Sequence, residues 1–163
     1  MTWDEFFMRH VYLVASKSKD VRTKIGAVLI SPGCNDPVSS GFNGFPRGVI
    51  DSIDRYEDRN MKHQLICHAE FNSIINAARK GVSTLGTILY TQAPVCHECA
   101  KTVIQAGVSE IVYHKQFPAM ETIKWLESSN LGNQMLNEAR VRTRIFDMTL
   151  GIKTLLGGQI IDV

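Results

Sequence analysis

CHAEFNSIINAARKG (67–81), GTILYT (86–91), CHECAKTVIQAG (96–107) and EIVYH (110–114) follow one another with little between them, and the architecture rests on them. The first is a helix running from Cys67-His68-Ala69-Glu70 through Phe71 to Ala78, with Gly81 as its C-terminal stop. The second is a short apolar strand. The third is a helix from Cys96 to Ala106 ended by Gly107, and the fourth is the next strand. Helix and strand in alternation argue an α/β architecture: a three-layer α-β-α sandwich around one mixed five-stranded sheet.

Toward the N-terminus, Thr2 to Lys17 predicts an amphipathic helix, with Thr2 and Glu5 as a capping box. Ile25 to Ile30 is apolar and β-branched, and Val38 to Phe42 pairs back with it across the turn residues Gly33 to Pro37. From Asn43 to Gln64 the pattern dissolves into glycine, proline and charge, with one short helix expected at Arg55 to Lys62. A loop this long inside a small domain marks function or mobility. Beyond the central stretch, Pro118 to Ser128 predicts a helix and Val141 to Asp147 a last strand. Leu150 to Val163 is apolar and broken by glycine, and the pattern assigns it no element. We expect one domain over 1–163, with a core at about 2–147 and a C-terminal tail at 148–163.

Eighteen basic and sixteen acidic residues leave a net charge of +2. That balance weighs against a polynucleotide partner, which usually leaves a basic footprint. The first residues lack a basic segment followed by an apolar one, and no apolar run approaches the length of a membrane span. Without an export signal, Cys96-x-x-Cys99 reads as metal or redox chemistry in a reducing compartment rather than as half of a disulfide framework. The expected location is the cytoplasm, or a host's cytoplasm for a viral chain.

The chemistry sits where two helices begin, at His68-Ala69-Glu70 and at Pro94-Val95-Cys96-His97-Glu98-Cys99. A helix N-terminus presents unpaired N–H groups and about half a positive charge, which stabilises thiolates. Cys96 and Cys99, one turn apart, can grip one metal, with His68 as third ligand from the other helix. Three protein ligands leave a fourth tetrahedral position open, the mark of a catalytic zinc. Glu70 lies too close to His68 in sequence to share its helical face, and from the first turn it can shuttle protons beside the metal without binding it. The pattern H-x-E followed by P-C-x-x-C is an established signature of zinc deaminases acting on cytosine or adenine. Here Val95 separates Pro94 from Cys96, which alters the turn and keeps the ligand set whole.

Further segments carry a resemblance: Ser18-Lys19-Asp20, Ile25-Gly26-Ala27-Val28, Gly41-Phe42-Asn43-Gly44-Phe45-Pro46, Cys67 to Ile74, Cys96-His97-Glu98-Cys99-Ala100-Lys101 and Ile104 to Val108. Together they resemble the deoxycytidylate (dCMP) deaminases, a branch of the zinc-dependent cytidine deaminase superfamily. The Gly-Phe-Asn-Gly-x-Pro segment distinguishes this branch, with Phe42 where tyrosine is common. The resemblance implies hydrolysis of dCMP to dUMP and ammonia, feeding dTTP-precursor synthesis, with Zn2+ on His68, Cys96 and Cys99 and Glu70 as proton shuttle. It also implies that Asn43 lies near the sugar, that Tyr113 packs on the base, and that Ala69 faces the substrate. Arg22, Thr23, Lys24 and Lys115 are candidates for phosphate contacts, since a phosphate needs a cation or hydroxyl nearby. Gly41, Phe42, Asn43 and Gly44 resemble the motif of an allosteric site, activated by dCTP and inhibited by dTTP, with Mg2+ accompanying the triphosphate in a homohexamer.

Blander readings stand beside these. A Cys-x-x-Cys is often a structural zinc knuckle, Gly41 and Gly44 can be plain turn glycines, and Arg22 and Lys24 solvated surface charges. Two other functions also fit: deamination of free cytidine or of a base in nucleic acid, and a zinc-stabilised binding module without turnover.

Overall fold

In the computed structural model, which describes residues 1–118 and 123–163, five strands form one sheet. These are β1 (Gly26–Ile30), β2 (Pro37–Phe42), β3 (Ile88–Thr91), β4 (Glu110–His114) and β5 (Arg142–Phe146), in the order β2-β1-β3-β4-β5. β1 pairs antiparallel with both β2 and β3, whereas β3–β4 and β4–β5 are parallel. The sheet is therefore mixed, as the alternation of elements predicts.

The helices are α1 (Trp3–Ala15), the short α2 (Ile53–Glu57) and α3 (Arg59–Leu65), α4 (Ala69–Arg79), α5 (His97–Gln105) and α6 (Ile123–Glu138). Thr2 caps α1 by accepting the Glu5 N–H at 3.2 Å. Glu5 does not close the box; its carboxylate pairs instead with Arg9 one turn on. Gly81 and Gly107, at φ 67° and 72°, stop α4 and α5 where the sequence places the stops. The loop after Asn43 holds two short helices rather than one, because Asp58 caps a second by accepting the N–H groups of Asn60 and Met61. The helix expected from Pro118 falls partly on residues 119–122, outside the described residues. It runs on to Glu138, well past the expected end at Ser128.

Strand side chains alternate between two cores. Ala27, Leu29, Leu89 and Ile111 face α4, α5 and α6, burying Ile74, Ala77, Ala100, Val103 and Leu136. Val28, Ile30, Tyr90 and Val112 face α1, where Phe7, Met8, Val11 and Tyr12 are buried. This makes the three layers. The tail, unassigned from sequence, forms the hairpin β6 (Lys153–Leu156) and β7 (Gln159–Asp162) and shares the α1 side, with Leu150 and Val163 buried in that core. At Gly41 the layers touch backbone to backbone: a Cβ there would lie 2.6 Å from the Ala69 carbonyl oxygen. Only glycine lets α4 settle onto β2.

Candidate active site

The site forms at the carboxyl end of β3, where ligands collect in sheets of this kind. α5 begins just past that end and α4 begins beside it, so two helix N-termini converge. His68 is the N-cap of α4 and Cys96 the N-cap of α5. The Cys96 sulfur accepts the Cys99 N–H at 3.5 Å, as a capping oxygen would. The His68 ring caps no N–H of its own helix and turns toward the sulfurs.

Nδ1 of His68 lies 3.3 Å from Sγ of Cys96 and 3.5 Å from Sγ of Cys99. All three donor atoms lie within 4.8 Å of one another, and among the described residues no other group of His, Cys, Asp or Glu converges so. Zinc bonds of about 2.3 Å to sulfur and 2.0–2.1 Å to nitrogen, set at a tetrahedral angle, separate such donors by roughly 3.5 Å. The donor set fits zinc in kind and spacing. The Cys96 thiol is drawn down to about 4, first by a hydrogen bond from the Cys99 thiol and then by the His68 ring, while burial opposes. Cys99 is pushed up by that same hydrogen bond and by burial. His68 is raised, chiefly by its bond to Cys96.

Glu70 is buried, with 5% of its surface exposed, and does not join the donor cluster. One carboxylate oxygen lies 3.3 Å from the Thr91 hydroxyl, which also reaches the Gly26 carbonyl at 3.2 Å, and the other lies 3.6 Å from the Cys99 sulfur. Burial pushes its carboxyl above the usual range, and the His68 ring pulls the other way. A buried carboxyl with a raised pKa, beside three metal-type donors, is a group of the kind that takes and gives protons in catalysis. Ala69, fully buried, sits between His68 and Glu70 in the chain. Tyr113 is half-buried and stands in register beside Thr91, on the same sheet face.

The rim of the site has a different construction. Asn43, expected near a sugar, is buried, and its side chain is occupied by protein. Oδ1 accepts the Ile25 N–H at 2.8 Å, while Nδ2 donates to Asp20 at 3.1 Å and to the Thr23 carbonyl at 2.8 Å. Both amide hydrogens being used, Asn43 fixes the 18–25 loop and has none left for a ligand. Asp20, 1% exposed, turns that loop by accepting the N–H groups of Arg22 and Thr23, and pairs with Lys62 at 2.6 Å. Gln92 accepts the Gly26 N–H and donates to the Lys24 carbonyl. The hairpin grips the same loop from outside: Lys24 N–H to Leu155, Gly157 N–H to the Thr23 hydroxyl, Gly158 N–H to Arg22.

Of the presumed phosphate residues, Arg22 is exposed, and Thr23 and Lys24 are half-buried in this loop. Lys115 pairs with Asp147 on the surface instead. In the glycine segment Gly41 is covered by α4, Phe42 is the exposed member, and Gly44 exchanges two hydrogen bonds with Cys67. Sequence reading left Thr91, Asp20, Gln92 and Lys62 without roles. Asp20 stood inside a quoted motif, but nothing in the sequence pairs it with Lys62.

With this geometry, the chain is a member of the zinc deaminase class. Residues 1–115 match the family model of the cytidine and deoxycytidylate deaminase zinc-binding region, and the chain belongs to that family. It is 39% identical over 124 residues to a probable deoxycytidylate deaminase of Drosophila melanogaster, covering 68% of this chain and 58% of that protein. Against the human deoxycytidylate deaminase the identity is 34% over 118 residues, 69% and 65% of the two chains. The chain thus spans about three fifths of the length of these relatives. An uncharacterized deaminase of Aliivibrio fischeri matches at 34% over 85% of this chain and 90% of its own. In fold, the dCMP deaminase of cyanophage S-TIM5, crystallised with dCMP and dUMP, superposes with a TM-score of 0.66 at 24% identity, covering 88% and 95%. No helix among the described residues is long and apolar enough to cross a membrane.

Proposed function

We propose that the chain hydrolyses dCMP to dUMP and ammonia. The observation that carries this is the three-donor cluster of His68, Cys96 and Cys99 with a buried carboxylate, Glu70, beside it and not in it. His68, Cys96 and Cys99 hold the zinc, which when bound supplies a water acidified toward a pKa of about 7. Glu70 accepts a proton from the water that attacks C4 and passes it to the ring nitrogen. It then protonates the amino group as the C4–N bond breaks, so that water's two hydrogens end on the ring and on ammonia. Thr91 keeps the carboxylate aimed, and Tyr113 flanks the base from the next strand.

The choice of dCMP within the family is supported by the Gly41–Pro46 segment and by the names of the relatives. The reading extends to activation by dCTP and inhibition by dTTP with Mg2+, to a hexamer, and to a cytoplasmic location. An aromatic surface at Trp3 and Phe6, 57% and 45% exposed, suits self-association. Ammonia release from dCMP, deoxycytidine and a cytosine-containing oligonucleotide, with each triphosphate and Mg2+, tests all of this. Turnover is expected with dCMP foremost. Preference for deoxycytidine or the oligonucleotide would move the substrate, and no release from any would leave a binding module.

A further inference from the structure

Lying outside the region matched by the family model, α6 crosses over the turn that carries Cys96. Trp125, Ser128 and Gly132 fall three and seven positions apart, on one stripe of the helix. Trp125 stands beside the His68 ring, centroids 6.2 Å apart. The Ser128 hydroxyl accepts the backbone N–H of His97 at 3.2 Å, an N–H with no partner inside α5, and meets Nδ1 of the His97 ring at 2.7 Å. Nε2 of that ring faces the Glu98 carboxylate at 3.1 Å. His97 thereby holds Ser128 from both backbone and ring, one residue from a ligand.

Gly132 makes the same contact by omission. A glycine inside a helix costs about 1 kcal/mol relative to alanine, and this one is buried at mid-helix. A Cβ there would lie 2.8 Å from the Val95 carbonyl oxygen and 3.2 Å from the Cys96 carbonyl carbon. The helix comes to rest on the backbone that aims the Cys96 sulfur.

We propose that Ser128 and Gly132 are positioning residues of the metal centre: α6 clamps the Val95–Cys96–His97 turn and so sets Cys96 against His68. This rests on the zinc reading above. Its test reads metal rather than turnover: the Zn2+ dissociation constant by competition with a chromophoric chelator, and the visible spectrum of the Co2+ form. Ser128→Ala is expected to weaken zinc binding about 10–100-fold, the usual effect of removing a partner that orients a metal ligand. Ser128→Thr, which keeps the hydroxyl, restores it. Gly132→Ala is expected to weaken binding and change the Co2+ ligand-field bands. Leu136→Ala, one turn beyond Gly132 in the same core and with no hydrogen bond from its side chain to the Val95–His97 backbone, lowers the melting temperature and leaves metal affinity as it was. Unchanged affinity and spectra in Ser128→Ala overturn the proposal, and so does loss of affinity in Leu136→Ala equal to that in Ser128→Ala. A wild-type chain that takes up neither metal overturns the zinc reading with it.

Discussion

The two halves of the site are held in different ways. On the metal half, His68 with Glu70 and Cys96 with Cys99 are neighbours in sequence, carried by the first turns of two helices that pack on one sheet face. On the rim, Asp20, Asn43 and Lys62 come from three separate stretches and meet through a hydrogen bond and an ion pair, while Gln92, from a fourth, holds the backbone of Lys24 and Gly26. A helix start fixes its side chains locally. A polar network exists only once the layers have closed, and each buried partner that is removed leaves another unsatisfied.

Glu70→Gln breaks the chemistry of the metal half and gives the largest effect. dCMP turnover should fall at least ~10²–10⁴-fold while zinc content, read by mass spectrometry, stays at the wild-type level. Turnover near normal would remove Glu70 from the mechanism. Next in size, Cys99→Ser should lose most of its zinc to a stoichiometric chelator; retention there would take Cys99 out of the ligand set. Asn43→Ala sharpens the contrast by damaging the rim alone. It strands the Ile25 N–H and one side of Asp20, and should lower stability by about 1–3 kcal/mol in urea unfolding. The expected signature is a raised KM with unaltered zinc affinity. A change in zinc affinity of the same size would show that the halves are coupled.

The smallest effect is one of pH. His114 is neutral in the fold: the Tyr12 hydroxyl donates to Nδ1 and Nε2–H donates to the Met148 carbonyl, each at 2.7 Å. Burial holds its pKa below the ordinary 6.5, with the Met148 bond and Asp147 opposing. The unfolded chain therefore binds the proton first. The histidine carries no penalty above pH 6.5, and stability falls as pH drops from there toward the folded pKa. His114→Gln should flatten this part of the melting-temperature profile; an unaltered slope would assign it to other groups, such as His10, also lowered by burial.

Much of this was legible in advance, for reasons particular residues make plain. Gly81 and Gly107 end helices because the chain turns through positive φ there, and His68, Cys96 and Cys99 announce themselves by spacing. α6 was not legible beyond Ser128. Ser128, Ser129, Asn130 and Gly132 are turn-type residues, and they are helical here because Ser128 and Gly132, on one stripe with Trp125, pack on the Cys96 turn. The tail escaped for a related cause: its glycine-broken apolar pattern gains meaning only against α1 and the 22–24 loop.

Read along the chain alone, residue pattern supplies the His and Cys donor types, their spacing at two helix starts and the alternation that builds the sheet, because each is set by contacts within a turn or by a period along the chain. Tertiary structure alone decided that Asn43 braces a loop, that Gly41 makes room for α4, and that Ser128 reaches His97. Those roles depend on which surfaces meet across the layers, and no local pattern encodes the partner.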